Sequence, residues 1–236
     1  MWDLRAPLLL ALVLAGLLGP STAARSQTQG AWAKIRVVVH PQNETERLTR
    51  SQLSAIFLGK LSHWPSGADV HVVDLAENHA TREVFSRVVH ERSAKDVEKA
   101  WLRLMLRGHE LPPRLASPEE VASFVAGQSG AVGYVPAGTS YDGLKILQVV
   151  EDPVLKRRVD PVYTVAARRE KVRGIVVLQV TVHPNGAVGS VFPVRTLPHG
   201  LTQEAVKAVK QWFYEPATLD GQAVKATIEV AIRFRP

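Results

Sequence analysis

Ser129 lies in Gly127-Gln128-Ser129-Gly130, a glycine-bracketed stretch of the kind that can hold a nucleophilic serine on a sharp turn. A nucleophile elbow needs a glycine two residues to each side of the serine. Position 127 satisfies that requirement, but position 131 is Ala. The eight histidines contain no His-Glu-x-x-His pair, and His63, His71 and His79 are too far apart for one helical face to present them to a metal. The chain has no cysteine, which removes thiol nucleophiles, disulfides and thiolate metal sites. The expectation is a protein that is not an enzyme and needs no metal or cofactor. Its chemistry should be recognition, by backbone groups and charge.

The charge is unevenly placed. The chain carries a net +7, yet residues 33–150 are nearly balanced. The surplus gathers after residue 151, at Lys156-Arg157-Arg158 and at Arg168, Arg169, Lys171 and Arg173. Such clusters are read first as a solvated linker, and then as attraction to acidic cell-wall polymers such as peptidoglycan or to anionic lipid. Nucleic acid is excluded as a partner, because the sequence has neither a stacking platform nor a nucleic-acid-binding motif. Of the tryptophans, Trp32, Trp64, Trp101 and Trp212 are read as core anchors. Among these four, Trp64, in a loop bounded by Pro and Gly, is the one candidate for an exposed contact instead.

The first 24 residues read as a secretory signal. An apolar run from Leu8 to Leu18 is broken at Gly19-Pro20, before the small residues Ser21-Thr22-Ala23-Ala24. The run is shorter than the roughly 20 residues a membrane span needs. Export to the periplasm with a mature start near Arg25 is therefore expected, and an uncleaved anchor is the alternative.

Two blocks of structure must position whatever does the binding. Ile35 to Val39 is an apolar strand. Thr49-Arg50-Ser51-Gln52 is a capping box opening a helix that buries Leu53, Ile56 and Phe57, with Gly59 at its end. A second strand, His71 to Leu75, precedes a helix from about Ala80. A third helix, Ala94 to Arg107, turns Val97, Trp101, Leu104 and Met105 inward. Ser117-Pro118-Glu119-Glu120 starts a fourth helix, followed by the strand Ala131 to Val135. Strands alternating with helices make an α/β layer.

The second block is different. A β-branched strand from Gly174 to Val182 meets an Asn185-Gly186 turn, a helix carries Ala205, Val206, Val209 and Phe213, and the final strand from Val224 to Arg235 alternates throughout. Expected boundaries are a signal at 1–24, an α/β lobe at 33–145, a linker at 146–165 and an α+β domain at 166–236.

The words Leu197-Pro198-His199-Gly200-Leu201 and the run from Ala208 through Glu215-Pro216-Ala217 to Val224 resemble the C-terminal domain of the TonB energy-transducer family, over about 162–236. Tyr163-Thr164 stands where that family has a Tyr-Pro pair. The resemblance implies a three-stranded antiparallel sheet with one helix. It also implies capture of a partner peptide by sheet extension, from an outer-membrane receptor or another envelope protein. The edge implied is the last strand, here Val224, Lys225, Ala226, Thr227, Ile228, Glu229, Val230 and Ala231. Two copies joined edge to edge as a homodimer would use the same groups.

The stretches Leu48 to Gly67, Val70 to Phe85 and Ser117 to Val135 resemble one lobe of the PstS-like phosphate-binding family, over about 34–145. That family cradles phosphate on a Gly-rich turn at a helix start. Here the turn has lost its glycines and gained Glu77, leaving Asn78, His79, Thr81 and Arg82 as the donors an oxyanion would use. The resemblances together imply an exported binding or adaptor protein. An oxyanion receptor and a cell-wall-attached structural protein are the alternatives. In the degenerate form of the lobe, Asn78 caps the helix and Arg82 is solvated.

Overall fold

A computed structural model of the chain describes residues 31–106, 108, 111–138 and 141–235. The signal expected at 1–24, and the mature start near Arg25, lie outside the described residues.

The lobe begins with β1 (Ile35–Val39) and β2 (Arg47–Thr49), and β2 runs directly into α1 (Arg50–Phe57). Thr49 and Gln52 form both halves of the expected capping box. Gly59, at φ +63°, releases the chain after α1 and lies against the Trp101 ring. The second strand of the sequence reading is two short pieces, β3 (His71–Val72) and β4 (Asp74–Leu75), before α2 (Ala80–His90) and α3 (Ala94–Met105). α3 buries Val97 and Trp101 but leaves Met105 44% exposed, because the helix lies at the rim of the layer.

β5 (Arg114–Leu115), α4 (Pro118–Gly127) and β6 (Ala131–Pro136) complete the layer. β1 is antiparallel to β6, and β3 runs parallel to β6 on its other side. Val37, Val39, Val73, Val132, Leu53, Phe85 and Val121 fill the core between sheet and helices. Trp64 belongs to that core, 3% exposed, with its indole N–H donated to the Gly130 carbonyl at 3.0 Å. That is the core-anchor reading of Trp64, not the exposed-contact alternative. The loop folds back because its own backbone pairs Trp64 with Ala68.

The segment expected as a linker, 146–165, is structured. β7 (Lys145–Ile146) joins the edge of β1, and β8 (Gln148–Val150) pairs parallel with β2. β9 (Val154–Arg157) pairs with a strand of the second domain, and α5 (Val165–Arg169) follows. The basic cluster in it is partly engaged: Lys156 pairs with Glu215 at 2.7 Å, and Arg158 lies over the Trp212 ring while bonding Asp160. Backbone ladders on both sides hold what its composition reads as loop.

The second domain comprises β10 (Gly174–Val182), β11 (Val188–Arg195), α6 (Leu201–Val209), β12 (Phe213–Glu215), β13 (Ala217–Leu219), β14 (Gln222–Val224) and β15 (Ala226–Phe234). β10 is central in a three-stranded antiparallel sheet ordered β11-β10-β15. Val176, Leu178, Val180, Ile232 and Phe234 pack under Leu201, Ala205 and Val209 of α6. Gly186, at φ +83°, closes the hairpin, and a Cβ there would meet the Tyr214 carbonyl at 2.0 Å. The final strand is shorter than the sequence reading. Val224 pairs with Ala217 in the β13–β14 hairpin, so the sheet strand starts at Ala226. Thr164, in place of the expected proline, caps α5 by accepting from the Ala167 N–H and donates to the His199 carbonyl at 2.7 Å. Among the described residues no helix is long and apolar enough to cross a membrane.

Candidate functional site

The four donors expected to hold an oxyanion do not converge on one. Asn78 is exposed and does not cap α2. His79 is the cap, its Nδ1 accepting from the Thr81 N–H at 3.2 Å, and Thr81 itself is buried. The α2 start has thus used one of its free amides on an imidazole. Arg82 is 1% exposed, with Nε donating to Asp74 Oδ2 at 3.0 Å and Nη2 to Glu98 Oε2 at 3.2 Å. Arg114 reaches the same Glu98 oxygen, and the Tyr134 hydroxyl donates to Asp74. Arg82 is not solvated: Nε and Nη2 go to carboxylates, and Nη1 is buried without a hydrogen-bond partner among the described residues.

The electrostatics agree. Burial works against the Arg82 charge, but Asp74 and Glu98 outweigh it and leave the guanidinium pKa raised. Burial raises Asp74, opposed by Arg82 and the Tyr134 hydrogen bond. Burial and the neighbouring Asp74 push the Tyr134 phenol upward. Nearby, His90 is buried, shares a 2.9 Å contact between its Nδ1 and Ser54 Oγ, and is lowered to about 4 by burial and then by Arg92, Lys60 and Arg82. This is a structural ionic cluster. Asp74, Glu98, Arg114 and Tyr134 come from four separate elements, so no sequence spacing announces them.

The second candidate is the β15 edge. Its nine-residue pairing with β10 runs unbroken from Ala226–Val182 to Phe234–Gly174. Backbone polar groups alternate sides along a strand, and two observations fix which side is which. The Thr227 carbonyl accepts from Gln52 Nε2 at 3.0 Å, across the edge and away from β10. On the far side of β10, Leu178 lies opposite Pro193, which has no N–H to give, so Leu178 turns its own groups toward β15. Residues 227, 229, 231 and 233 therefore point their N–H and C=O outward, and 226, 228, 230, 232 and 234 bond to β10. Of the residues expected at this edge, Thr227, Glu229 and Ala231 carry outward groups. Ala226, Ile228 and Val230 hold the ladder, and Val224 and Lys225 precede the strand.

The opposite edge is blunted. Pro193 removes one donor, and β11 meets β10 with irregular register at Val177/Leu178 and Val180/Val182. The β15 edge has no such interruption. At its Thr227 end it meets the lobe across a cleft of about 640 Å³, lined in part by Thr45, Arg47, Gln52, Lys225 and Thr227.

Residues 159–236 match the family described as Gram-negative bacterial TonB protein C-terminal. The TonB C-terminal domain of Pseudomonas aeruginosa, solved in solution, is similar at 22% identity over 36% of this chain and 87% of that one, with a TM-score of 0.31. The TonB2 protein of Vibrio anguillarum is similar at 32% identity over 33% of this chain and 76% of that one, with a TM-score of 0.27. A putative phosphate ABC transporter substrate-binding protein from Clostridium perfringens, solved with bound phosphate, is similar at 22% identity over 49% of this chain, with a TM-score of 0.41. The present chain spans 44% of that protein's length. A search of curated proteins found no relative. The C-terminal segment is thus TonB-like, and phosphate-binding proteins are among the structures similar to the chain, as the sequence words implied.

Proposed function

We propose that this protein is an exported adaptor of the cell envelope that captures an extended segment of a partner protein on the β15 edge. The observation that carries the reading is the row of outward backbone groups at Glu229, Ala231 and Arg233, on a strand whose inner ladder is complete. An open, unbulged edge offers hydrogen bonds to any strand laid beside it. The match to TonB C-terminal domains supports a partner in the envelope, an outer-membrane receptor segment being the expected one. Localisation in the periplasm belongs to the same reading.

The lobe acts in this reading as a folded body and not as an oxyanion receptor, because Asp74 and Glu98 hold the Nε and Nη2 donors of Arg82 and its remaining nitrogen, Nη1, is buried. Millimolar phosphate should leave the melting temperature unchanged, whereas a receptor would be stabilised by mass action. The edge itself is tested by titrating labelled full-length protein with peptides from the N-terminal segments of outer-membrane receptors. Amide shifts confined to residues 229–233 are expected. Shifts that depend on protein concentration without peptide would mean self-pairing into a dimer, and binding to peptidoglycan alone would point to the cell-wall role.

A further inference from the structure

The edge does not stand free along its whole length. Gln52 of α1 donates to the Thr227 carbonyl at 3.0 Å, and Arg47 of β2 donates to the Lys225 carbonyl at 3.2 Å. Both are the bonds an incoming strand would make at that end. Neither donor is loosely held. Gln52 Oε1 accepts from the Thr49 N–H at 2.9 Å as half of the capping box, so its amide is oriented by the helix start. The Arg47 guanidinium is tied back to Gln148 Oε1 at 3.1 Å. The lobe cannot easily lean away, because Val150, Ala217 and Ala226 share a small core between the domains.

Resting on the capture reading above, we propose that the lobe sets the length and register of the captured strand. The segment pairs with Glu229, Ala231 and Arg233 and ends against Gln52. From Glu229 to Arg233 is four residue rises, about 14 Å of edge, enough for roughly five residues of partner. Glu229 and Arg233 lie on the face away from α6, with Ala231 between them. Opposite charges across a strand pair are favourable. The fitting segment is therefore a short extended peptide carrying a base and an acid four residues apart, with a small or β-branched residue midway.

The test uses the full chain with Gln52→Glu, alone and combined with Arg47→Ala. Glutamate keeps the capping-box acceptor for the Thr49 N–H but replaces the donor to Thr227 by an anion. Receptor-derived octapeptides are added, and amide exchange is read residue by residue. In the unaltered protein, protection should appear at residues 229, 231 and 233 and not at 227. In the variants it should extend to the Thr227 amide, and the peptide should bind at least threefold more tightly, with the melting temperature kept. Protection at Thr227 in the unaltered protein, or identical footprints in all three, overturns the register stop and leaves capture standing. Peptides that bind none of the three overturn capture together with the stop.

Discussion

Arg82 and His90 are both buried in the lobe, and the Arg82 charge is among those that disfavour a proton on His90. Removing the guanidinium would leave Asp74 buried with a charge addressed by Tyr134, one backbone N–H and, more weakly, the Arg114 charge. Breaking such a pair from one side costs about 3–5 kcal/mol. Arg82→Ala should therefore lower the urea midpoint sharply, with or without phosphate present. His90 gives the lobe an acid sensitivity. Its pKa falls from 6.5 in the unfolded chain to about 4 in the fold, so between those values the unfolded state binds the extra proton. Its contribution is whole above pH 6.5 and is lost as pH falls toward 4, a loss of order 3 kcal/mol. Asp74, raised by burial, acts in the opposite sense and favours the fold as pH falls. The comparison that isolates the histidine is His90→Asn. Denaturation at pH 7 and pH 5 should show a smaller difference for that variant than for the unaltered protein.

At the scale of the element, β15 separates two kinds of residue that look alike in sequence. Ala231 turns its N–H outward, whereas Val230 turns its own to β10. Proline at 231 should leave thermal stability within about 1 kcal/mol and weaken peptide capture, since only an outward donor is lost. Proline at 230 should cost about 3 kcal/mol or more by breaking the ladder. Calorimetry and peptide titration on the two variants separate these outcomes.

The alternation along 226–234 was legible because one face of the strand is buried and the other is wet. Which backbone groups point outward was not, since that depends on Pro193 and Gln52, residues far away in the chain. The Thr49–Gln52 capping box was equally legible as a helix start. The spare amide of Gln52 shows its second use only once the other domain lies beside it. At the turn between β4 and α2, the absence of glycine was visible in the sequence. The carboxylates that engage Arg82 were not, because Glu98 meets it only after α3 packs on α2 and Asp74 only once β4 lies beside α2.

The whole molecule is less modular than its composition suggests. Residues 148–157 look like a charged spacer, but β8 pairs with the lobe and β9 with the second domain. The Glu151 N–H donates to the Thr218 carbonyl at 3.0 Å between them. Ser51 donates both its N–H and its hydroxyl to Asp152, which fastens the start of α1 to the same segment. Limited proteolysis should therefore spare residues 148–157, and heat should unfold the chain in one transition. A ready cut inside that segment, or two separated calorimetric peaks, would restore the picture of independent domains.

The unbroken β10–β15 ladder has a mechanical consequence. A partner strand drawn lengthwise along β15 would load the five residues that bond to β10, from Ala226 to Phe234, in parallel, the geometry in which hydrogen bonds must fail together instead of one at a time. The pull would leave β15 at Ala226, which shares a core with Val150 and so passes the load into β8 and the lobe. The small core between the domains is then the joint through which that load reaches the lobe.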